Sequence, residues 1–263
     1  MTLSIITINL NNIEGLSKTI DSVRSQSFTD YEWIVIDGGS TDGSKELIEN
    51  NINLFAYWVS EPDKGIYNAI NKGIAHASGE YIQILNSGDV FFESTTLESL
   101  FKQNLDADIN YGDALLHYPD GSVIDKHYPD LVSLNYFIHD VINHQATFFK
   151  RNVFEGHLYN EGYLIASDWA YCIEAVCRGL TFKHIKQTIV HYDNSGISSQ
   201  WGERQISERQ DIIDRYIPTH LKSDMAVLAD IAAIRRRKST RFIYDNTLCL
   251  CRWMNRFFNR IKK

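Results

Sequence analysis

Short apolar segments alternate with helical patterns over the first 85 residues, and this alternation restricts the fold more than any other feature. The first segment, Leu3–Asn9, is almost continuously β-branched, as is typical of a strand buried on both faces of a parallel sheet. Further strands are predicted at residues 31–37, 55–59 and 81–85, and helices at 16–23, about 44–50 and 66–77. The alternation predicts an α/β, Rossmann-like, mostly parallel sheet with helices on both faces.

Shorter elements follow residue 89. Strands are predicted at residues 109–111, 114–118, 122–126, 145–150 and 181–190, and helices at 95–102, 167–178, 203–216 and 222–238. Ser167 is predicted to cap the helix that it opens, and residues 191–198 are predicted to form a polar loop. No repeat or low-complexity linker interrupts the chain, so residues 1–200 are predicted to form one α/β unit, followed by C-terminal helices over 201–263.

Charge is distributed unevenly along the 263 residues, whose net charge is −7. Residues 235–263 hold ten Lys and Arg against one Asp, a net charge of +9, which leaves −16 on residues 1–234. The first nine residues do not resemble a signal peptide, and no apolar run approaches the roughly 18–20 residues needed to span a bilayer. A cytoplasmic location with no nucleic-acid partner is therefore expected.

The segment 242–263 places bulky apolar residues beside Arg and Lys at helical spacing. This pattern fits a helix lying in a membrane interface, and it equally fits a helix packed on the acidic body of the protein. In the first case the segment would hold the protein on the cytoplasmic face of a membrane, and Cys249 and Cys251 would be available for acylation. The cysteine spacings match neither a disulfide framework nor a zinc ribbon.

Polar residues follow each of the four N-terminal strands. They are Thr7 and Asn9, Asp37, the loop 61–65, and the run Asn-Ser-Gly-Asp at 86–89. The carboxyl ends of parallel strands meet at one edge of the sheet, where such sheets bind nucleotides. Taken alone, the run 86–89 is better explained as an ordinary turn, because all four residues favour turns.

Several of these segments, in order, closely resemble the family 2 glycosyltransferases, which have the GT-A fold. The matching segments are Ser-Ile-Ile-Thr-Ile-Asn at 4–9, Val-Ile-Asp-Gly-Gly-Ser-Thr-Asp-Gly at 35–43, Ser-Glu-Pro-Asp-Lys-Gly-Ile-Tyr-Asn-Ala-Ile-Asn-Lys-Gly at 60–73, Gly-Glu-Tyr-Ile-Gln-Ile-Leu-Asn-Ser-Gly-Asp at 79–89, Asn-His-Gln at 143–145 and Ser-Asp-Trp at 167–169. The branch looks like the bacterial enzymes of capsule, O-antigen (lipopolysaccharide) and exopolysaccharide synthesis. The resemblance implies a nucleotide-binding half over residues 1–105 and an acceptor half over 106–200.

The resemblance also implies a set of nucleotide contacts. Asp37 would accept a hydrogen bond from N3–H of uracil, which favours a UDP-linked donor over a GDP-linked one. The remaining predicted contacts, to base, ribose, sugar or phosphate, are Thr7, Asn9, Gly38, Lys64, Asn71, Asn86, Ser87 and Gly88. Each also has an ordinary structural interpretation, such as a strand-end cap for Asp37 or a solvated surface position for Lys64.

A divalent cation, Mg²⁺ or Mn²⁺, would be held at the same corner by Asp89. Here the chain departs from the usual Asp-x-Asp-Asp pattern of the family, because Asn86 and Gly88 occupy two of its acidic positions. His191, ahead of the predicted polar loop, is the candidate for an additional metal ligand. A single histidine at a strand end is more often structural.

Asp168 matches the family's catalytic base. In the first turn of a helix its ionised form is favoured by the helix dipole, and a carboxylate can accept the proton of an attacking hydroxyl. Glu161 and Asp113 are the reserve candidates. One base and direct attack imply inversion at the anomeric carbon.

Further contacts are predicted around the transferred sugar. His144 and Gln145 are expected at the acceptor or donor sugar, Trp169 and Trp201 to stack on sugar faces, and Arg204 to reach the diphosphate. Residues 193–200 would close over the donor as a lid. Buried aromatic residues, however, usually belong to the core.

The sequence therefore predicts an inverting hexosyltransferase that moves a sugar from a nucleotide-sugar to a glycan or lipid-linked acceptor. A nucleotidylyltransferase would carry a Gly-rich loop after the first strand, where this chain has Asn-Leu-Asn-Asn. A retaining glycosidase would need paired carboxylates but no nucleotide edge. An inactive sugar-nucleotide-binding scaffold remains the non-enzymatic alternative, and the donor sugar, acceptor and oligomeric state stay open.

Overall fold

The structure, a computed structural model, describes residues 1–196, 202–219 and 221–222. Within them nine strands form one mixed sheet: β1 Leu3–Asn9, β2 Tyr31–Asp37, β3 Tyr57–Ser60, β4 Tyr81–Ile84, β5 Val90–Phe91, β6 Ile109–His117, β7 Val123–Lys126, β8 Thr147–Lys150 and β9 Phe182–Asp193. The α-helices of the same residues are α1 Ile13–Arg24, α2 Ser44–Asn50, α3 Ile66–His76, α4 Thr96–Phe101, α5 Leu134–His139, α6 Ser167–Cys177 and α7 Glu203–Tyr216. The predicted α/β architecture is confirmed.

The N-terminal half of the sheet is parallel, in the order β3-β2-β1-β4. All seven residues of β1 are buried, which explains why four of them are Leu or Ile. Leu3 and Ile5 belong to one core with residues of α1, while Ile6 and Ile8 belong to a second core with residues of α3. Because successive strand residues face opposite sides, each face of the sheet is covered by a helix.

Close packing of α3 on β1 depends on Gly73. A Cβ atom at this position would lie 2.4 Å from Cγ2 of Ile6, so only glycine lets the helix approach this closely. The approach brings the start of α3 to the carboxyl edge of the sheet, next to the loop after β3.

The second half of the sheet is mixed. Strand β8 is antiparallel to β4 and β6, β9 is parallel to β6, and β5 is antiparallel to β9. The two strands predicted at 109–111 and 114–118 are one strand, β6, whose pairing with β9 shifts register at Asp113. Strand β7 pairs with β6 as the predicted hairpin.

Three local predictions are wrong. Residues 191–193 extend β9, because they pair with β6, and do not begin a loop. Ala166, not Ser167, is the N-cap of α6, and the Ser167 hydroxyl is buried without a hydrogen-bond partner. The short elements β5 and α5 were not predicted, since two and six residues carry little periodicity.

The chain divides into two compact units, Met1–Ile212 and Ile213–Lys263. The domain boundaries drawn from the sequence stay predictions. The predicted helix at 222–238 and the amphipathic segment 242–263 lie outside the described residues, Lys222 excepted. No helix of the described residues has the length and apolar character needed to cross a membrane.

Candidate active site

A cleft of about 480 Å³ opens at the carboxyl ends of β1 and β4. Its walls come from the ends of these strands, the start of α3 and the end of β9, where sheets of this type bind ligands. The predicted site residues among those that line it are Asn9, Asn86, Ser87, Asp89 and Gln145. Leu10, Asn12, Asp63 and Asp193 line the cleft as well, although none of them was predicted as a contact.

Asp37 lies at the end of β2 but is fully buried behind this cleft. Oδ1 accepts hydrogen bonds from Asn9 Nδ2 (2.8 Å) and Ser40 Oγ (2.5 Å), and Oδ2 accepts them from Ser40 N (2.9 Å) and Ser60 Oγ (2.6 Å). Burial opposes ionisation, yet the bonds from Ser40, Ser60 and Asn9 outweigh it and hold the pKa of Asp37 below its usual value. All four lone-pair positions are occupied, so the predicted direct contact with uracil is not supported.

Two further predicted contacts are also corrected. Thr7 is fully buried, and its hydroxyl accepts a hydrogen bond from the Trp33 indole at 3.0 Å, so it faces the core. Asn71 donates to Tyr159 O at 2.8 Å and accepts from Tyr159 N at 3.0 Å. Its amide therefore fastens the loop before α6 to α3 and does not face a ribose or sugar.

The loop after β3 brings a different carboxylate to the cleft. Oδ1 of Asp63 accepts the Gly65 N–H at 2.9 Å, and Oδ2 lies 2.6 Å from the position of a Cβ on Gly38. Any side chain at Gly38 would displace Asp63 from the wall. Lys64 is exposed beside this wall, where its predicted phosphate contact stays a prediction.

Residues 86–89 form a turn that is anchored to α1. Gly88 has a φ of 104°, a conformation that favours glycine. The Thr19 hydroxyl accepts the Gly88 N–H at 3.0 Å and donates to Asp89 O at 2.9 Å. Asn12 donates from its side-chain amide to Ser87 O at 3.2 Å. The turn thus presents Asn86, Ser87 and Asp89 to the cleft in a fixed arrangement.

The Asp89 carboxylate is almost completely buried. Oδ2 accepts from Gln145 Nε2 at 3.0 Å and Oδ1 from Asp193 N at 2.9 Å. Burial raises the pKa of Asp89 to about 7, these two bonds lower it, and the negative charge of Asp193 raises it further. A buried, basic carboxylate facing a second carboxylate is an arrangement that favours a bound cation or proton.

His191 does not join this pair. Its Nδ1 lies 2.8 Å from His117 Nε2, and its ring stacks on Phe92. Burial and the neighbouring His117 lower the pKa of His191. The predicted metal contact is not supported by these contacts, because the extension of β9 places Nδ1 of His191 against His117, and it stays a prediction.

Asp193, two residues further on, lies next to Asp89 and donates its backbone N–H to that carboxylate. Asp89 and Asp193 supply hard oxygen ligands of the kind that Mg²⁺ and Mn²⁺ prefer. The described residues contain no group of three or more His, Cys, Asp or Glu that could hold a metal by themselves. The two carboxylates fit a cation that takes its remaining ligands from a diphosphate and water.

A second pocket, of about 220 Å³, adjoins the cleft and shares Ile66, Asn86, Gln145, Leu164 and Tyr192 with it. Asp168, in the first turn of α6, lies in its wall. Its Oδ1 accepts the Tyr67 hydroxyl at 3.1 Å and the Trp169 N–H at 2.8 Å. A carboxylate held in the wall of a pocket next to the cleft can accept a proton from a hydroxyl bound there.

Glu208 of α7 fixes the segment that leads into α6. Its carboxylate, about nine-tenths buried, accepts the backbone N–H groups of Leu164, Ile165 and Ala166 at 2.9–3.1 Å. No local sequence pattern indicates this residue, since its partners lie more than 40 positions away in the chain.

His144 and Gln145 lie between the two cavities, as part of a 3-10 helix, His144–Ala146. Gln145 lines both cavities and reaches Asp89, while His144 contacts Asn86 on one side and Asp168 on the other. The predicted contact of His144 and Gln145 with the acceptor or donor sugar stays a prediction.

The remaining predicted contacts have partners within the protein. Trp169 lines the smaller pocket but is 2 % exposed, donates to Phe137 O and has the guanidinium of Arg209 4.8 Å from its ring centre, so its predicted stacking on a sugar is not supported. Arg204 pairs with Glu208 within α7. Among the reserve bases, Glu161 binds Asn68 and Asn71, and Asp113 binds His127 and His184. Trp201 and residues 197–200 of the predicted lid lie outside the described residues.

Comparison with known proteins identifies the fold and then the family. Two solved structures share the fold: S. aureus TarS 1-349 in complex with UDP-GlcNAc (TM-score 0.62, 15% identity, covering 81% of this chain and 64% of that one), and the mannosyltransferase PcManGT from Pyrobaculum calidifontis in complex with GDP-Man and Mn²⁺ (TM-score 0.61, 16% identity, 92% and 83%). The fold is thus that of the GT-A glycosyltransferases.

The family follows from the sequence comparisons. Residues 4–164 match the model of glycosyl transferase family 2. An uncharacterized glycosyltransferase of Mycobacterium tuberculosis is 35% identical over 211 residues, which cover 75% of this chain and 77% of the relative. A PGL/p-HBAD biosynthesis glycosyltransferase of Mycobacterium bovis is 27% identical over 209 residues (73% and 77%). The chain belongs to glycosyl transferase family 2 and is a transferase.

Proposed function

We propose that this enzyme transfers a sugar from a UDP-sugar to a hydroxyl group of a glycan or lipid-linked oligosaccharide, with inversion. The observation that carries the proposal is the placement of Asp168 in a pocket that adjoins the cleft at the sheet edge. A nucleotide-sugar in the cleft and an acceptor in the pocket would meet where the two cavities share residues. Relatives and structural neighbours named for glycolipid biosynthesis and for bound nucleotide-sugars support this class of substrates.

In the proposed reaction, Asp168 accepts the acceptor's proton on Oδ2, because Oδ1 already accepts the Trp169 N–H and lies against the Tyr67 hydroxyl. The acceptor oxygen forms a bond to the anomeric carbon as the bond to the diphosphate oxygen breaks. Asp89 and Asp193 would hold a divalent cation, which supplies charge neutralisation for the leaving diphosphate. Asn9, Ser87 and Asp63 line the part of the cleft proposed for the nucleoside and phosphates.

Association with the cytoplasmic face of a membrane belongs to the same proposal. The basic, amphipathic segment 242–263 has the composition of an interfacial helix, and lipid-linked acceptors are presented at such a surface. Deletion of residues 242–263 should release the protein from vesicles containing anionic lipid and reduce transfer to a lipid-linked acceptor. Unchanged binding and transfer would contradict this part of the proposal.

The donor is tested by a panel of UDP- and GDP-sugars in calorimetric binding experiments with and without Mn²⁺. We expect binding of UDP-sugars that strengthens with Mn²⁺, and slow hydrolysis or transfer from the sugars that bind. If only GDP-sugars bind, the nucleobase of the donor is guanine and not uracil. The PcManGT structure, a complex with GDP-Man, is an example of such a donor for that protein. Absence of binding by every donor would refute the proposed function.

A further inference from the structure

His144 occupies a position that connects the cleft with the adjoining pocket. It lines the pocket, is 8% exposed, and contacts a residue of each cavity. On one side its Nε2 lies 3.2 Å from Nδ2 of Asn86, which lines both cavities. On the other side its Nδ1 lies 3.7 Å from Oδ2 of Asp168.

The contact with Asn86 determines the tautomer of the imidazole. Nδ2 of Asn86 can only donate, so Nε2 of His144 accepts and carries no proton in the neutral ring. The proton therefore lies on Nδ1, which is buried and has no hydrogen-bond partner among the described residues. This N–H lies 3.7 Å from Asp168 Oδ2, slightly beyond hydrogen-bond distance.

The two oxygens of Asp168 are unequal. Oδ1 accepts the Trp169 N–H at 2.8 Å and lies 3.1 Å from the Tyr67 hydroxyl, whose single proton also faces Ile165 O at 2.7 Å, whereas no hydrogen bond from the described residues reaches Oδ2. Oδ2 is thus the oxygen that remains available to an acceptor hydroxyl and to Nδ1–H of His144. Hydrogen bonds of catalytic groups are often long in the unliganded protein and shorten when substrate binds.

We propose that His144 is a positioning residue: its Nδ1–H donates to Asp168 Oδ2 during the reaction, and Asn86 holds its ring in the required tautomer. The proposal rests on the proposed function, in which Asp168 is the base. A donor bound against Asn86 would then favour the same ring orientation that prepares Asp168 for the acceptor.

His144 neither gains nor loses a proton in this scheme. The acceptor's proton moves to Asp168, the acceptor oxygen bonds to the anomeric carbon, and the electron pair of the broken bond leaves with the diphosphate. The imidazole N–H orients and stabilises the ionised Asp168 carboxylate before it accepts the proton. The other titratable groups around Asp168 are Tyr67, Tyr159, Cys172 and Arg209.

Two substitutions test the roles of the two imidazole nitrogens separately. In His144→Asn the side-chain amide can replace Nδ1 as the donor to Asp168, but the acceptor for Asn86 is lost. In His144→Gln the amide oxygen can replace Nε2 as the acceptor for Asn86, but the donor to Asp168 is lost. The pair is matched, because each variant keeps a neutral amide in the same pocket.

We expect His144→Gln to lower kcat by roughly 10-fold or more, the range for a hydrogen bond to a charged group. The acid limb of its kcat/KM profile should move to higher pH, because loss of an N–H donor favours the protonated carboxyl group. In His144→Asn, kcat should stay within about 3-fold of the wild-type value, and the acid limb of the kcat/KM profile should not move. Equal losses of kcat in both variants with unmoved profiles would mean a purely structural role and overturn the proposal.

A readout independent of activity separates this proposal from the proposed function. Imidazole nitrogen NMR of the full-length protein should show His144 protonated on Nδ1, with a resonance that shifts in Asp168→Asn. A proton on Nε2 would overturn the proposal even if sugar transfer is normal. If the wild type neither binds a nucleotide-sugar nor transfers its sugar, the proposed function fails. The NMR spectrum would still show whether Asn86 fixes the tautomer of His144.

Discussion

The two cavities of this family 2 glycosyltransferase are constructed differently. Wall residues of the larger cleft such as Asn9, Asn86 and Asp89 lie at the carboxyl end of a parallel strand or in the turn after it. Wall residues of the smaller pocket come from separate segments between residues 66 and 209. The cleft depends on local sequence, whereas the pocket depends on long-range contacts such as those of Glu208 with residues 164–166. Changes in the two regions should therefore separate donor binding from turnover.

Asp168→Asn should have the largest effect on the pocket. We expect kcat to fall by roughly 10²- to 10⁴-fold, the contribution of a general base, while the dissociation constant of the donor stays within about 3-fold. Steady-state kinetics and calorimetry on the same preparation measure both. Asp140→Asn is the matched control, since Asp140 lines the same pocket but pairs with Lys126 at 2.6 Å. Normal turnover in Asp168→Asn would assign the base elsewhere.

Among changes in the cleft, Asp89→Asn should have the largest effect. Its effect on the free energy of unfolding should depend on pH. The folded-state pKa of about 7 exceeds the unfolded value of about 3.9, so the native state binds the proton more tightly. Stability from this group is fully present below about pH 4 and is lost as pH rises to about 7, by up to about 4 kcal/mol.

Urea unfolding of wild type and Asp89→Asn across this pH range measures the difference. The wild type should lose stability relative to the variant as pH rises, and Mn²⁺ at pH 7.5 should stabilise only the wild type. A constant difference between the two proteins would show that Asp89 is ionised in the native state throughout.

Glu208→Gln should reduce turnover without affecting the donor cleft. One carboxylate oxygen accepts two backbone N–H groups, and an amide nitrogen there would leave them unpaired at a cost of about 1–3 kcal/mol. The segment before α6 should loosen, and kcat should fall by about 10-fold with an unchanged donor dissociation constant. Weaker donor binding would mean that the two cavities are not separable in this way.

The smallest effects distinguish the two residues at the end of β9. Asp193→Asn should raise the Mn²⁺ concentration for half-maximal activation by about 10-fold, since it removes one of two anionic ligands. His191→Gln should change it by less than about 2-fold, because His191 contacts His117 and Phe92. The reverse order of effects would restore the metal contact predicted from the sequence.

The difference between local and long-range contacts also explains which parts of the fold and the site could be predicted from the sequence. The parallel half follows from apolar periodicity, and Asn9, Asn86 and Asp89 were predicted because each follows a strand. Asp37 and Asn71 were assigned to the nucleotide because sequence does not reveal saturated hydrogen bonds. Asp193 was missed because β9 extends beyond its apolar run, and Glu208 because its partners are distant in sequence.

We propose direct displacement by an acceptor hydroxyl whose proton moves to Asp168, without a covalent sugar–enzyme intermediate. The anomeric configuration of the first product, read by proton NMR before it equilibrates, distinguishes this mechanism from a double displacement. Direct displacement gives a product of configuration opposite to that of the donor sugar. A product that retains the donor's configuration would contradict it.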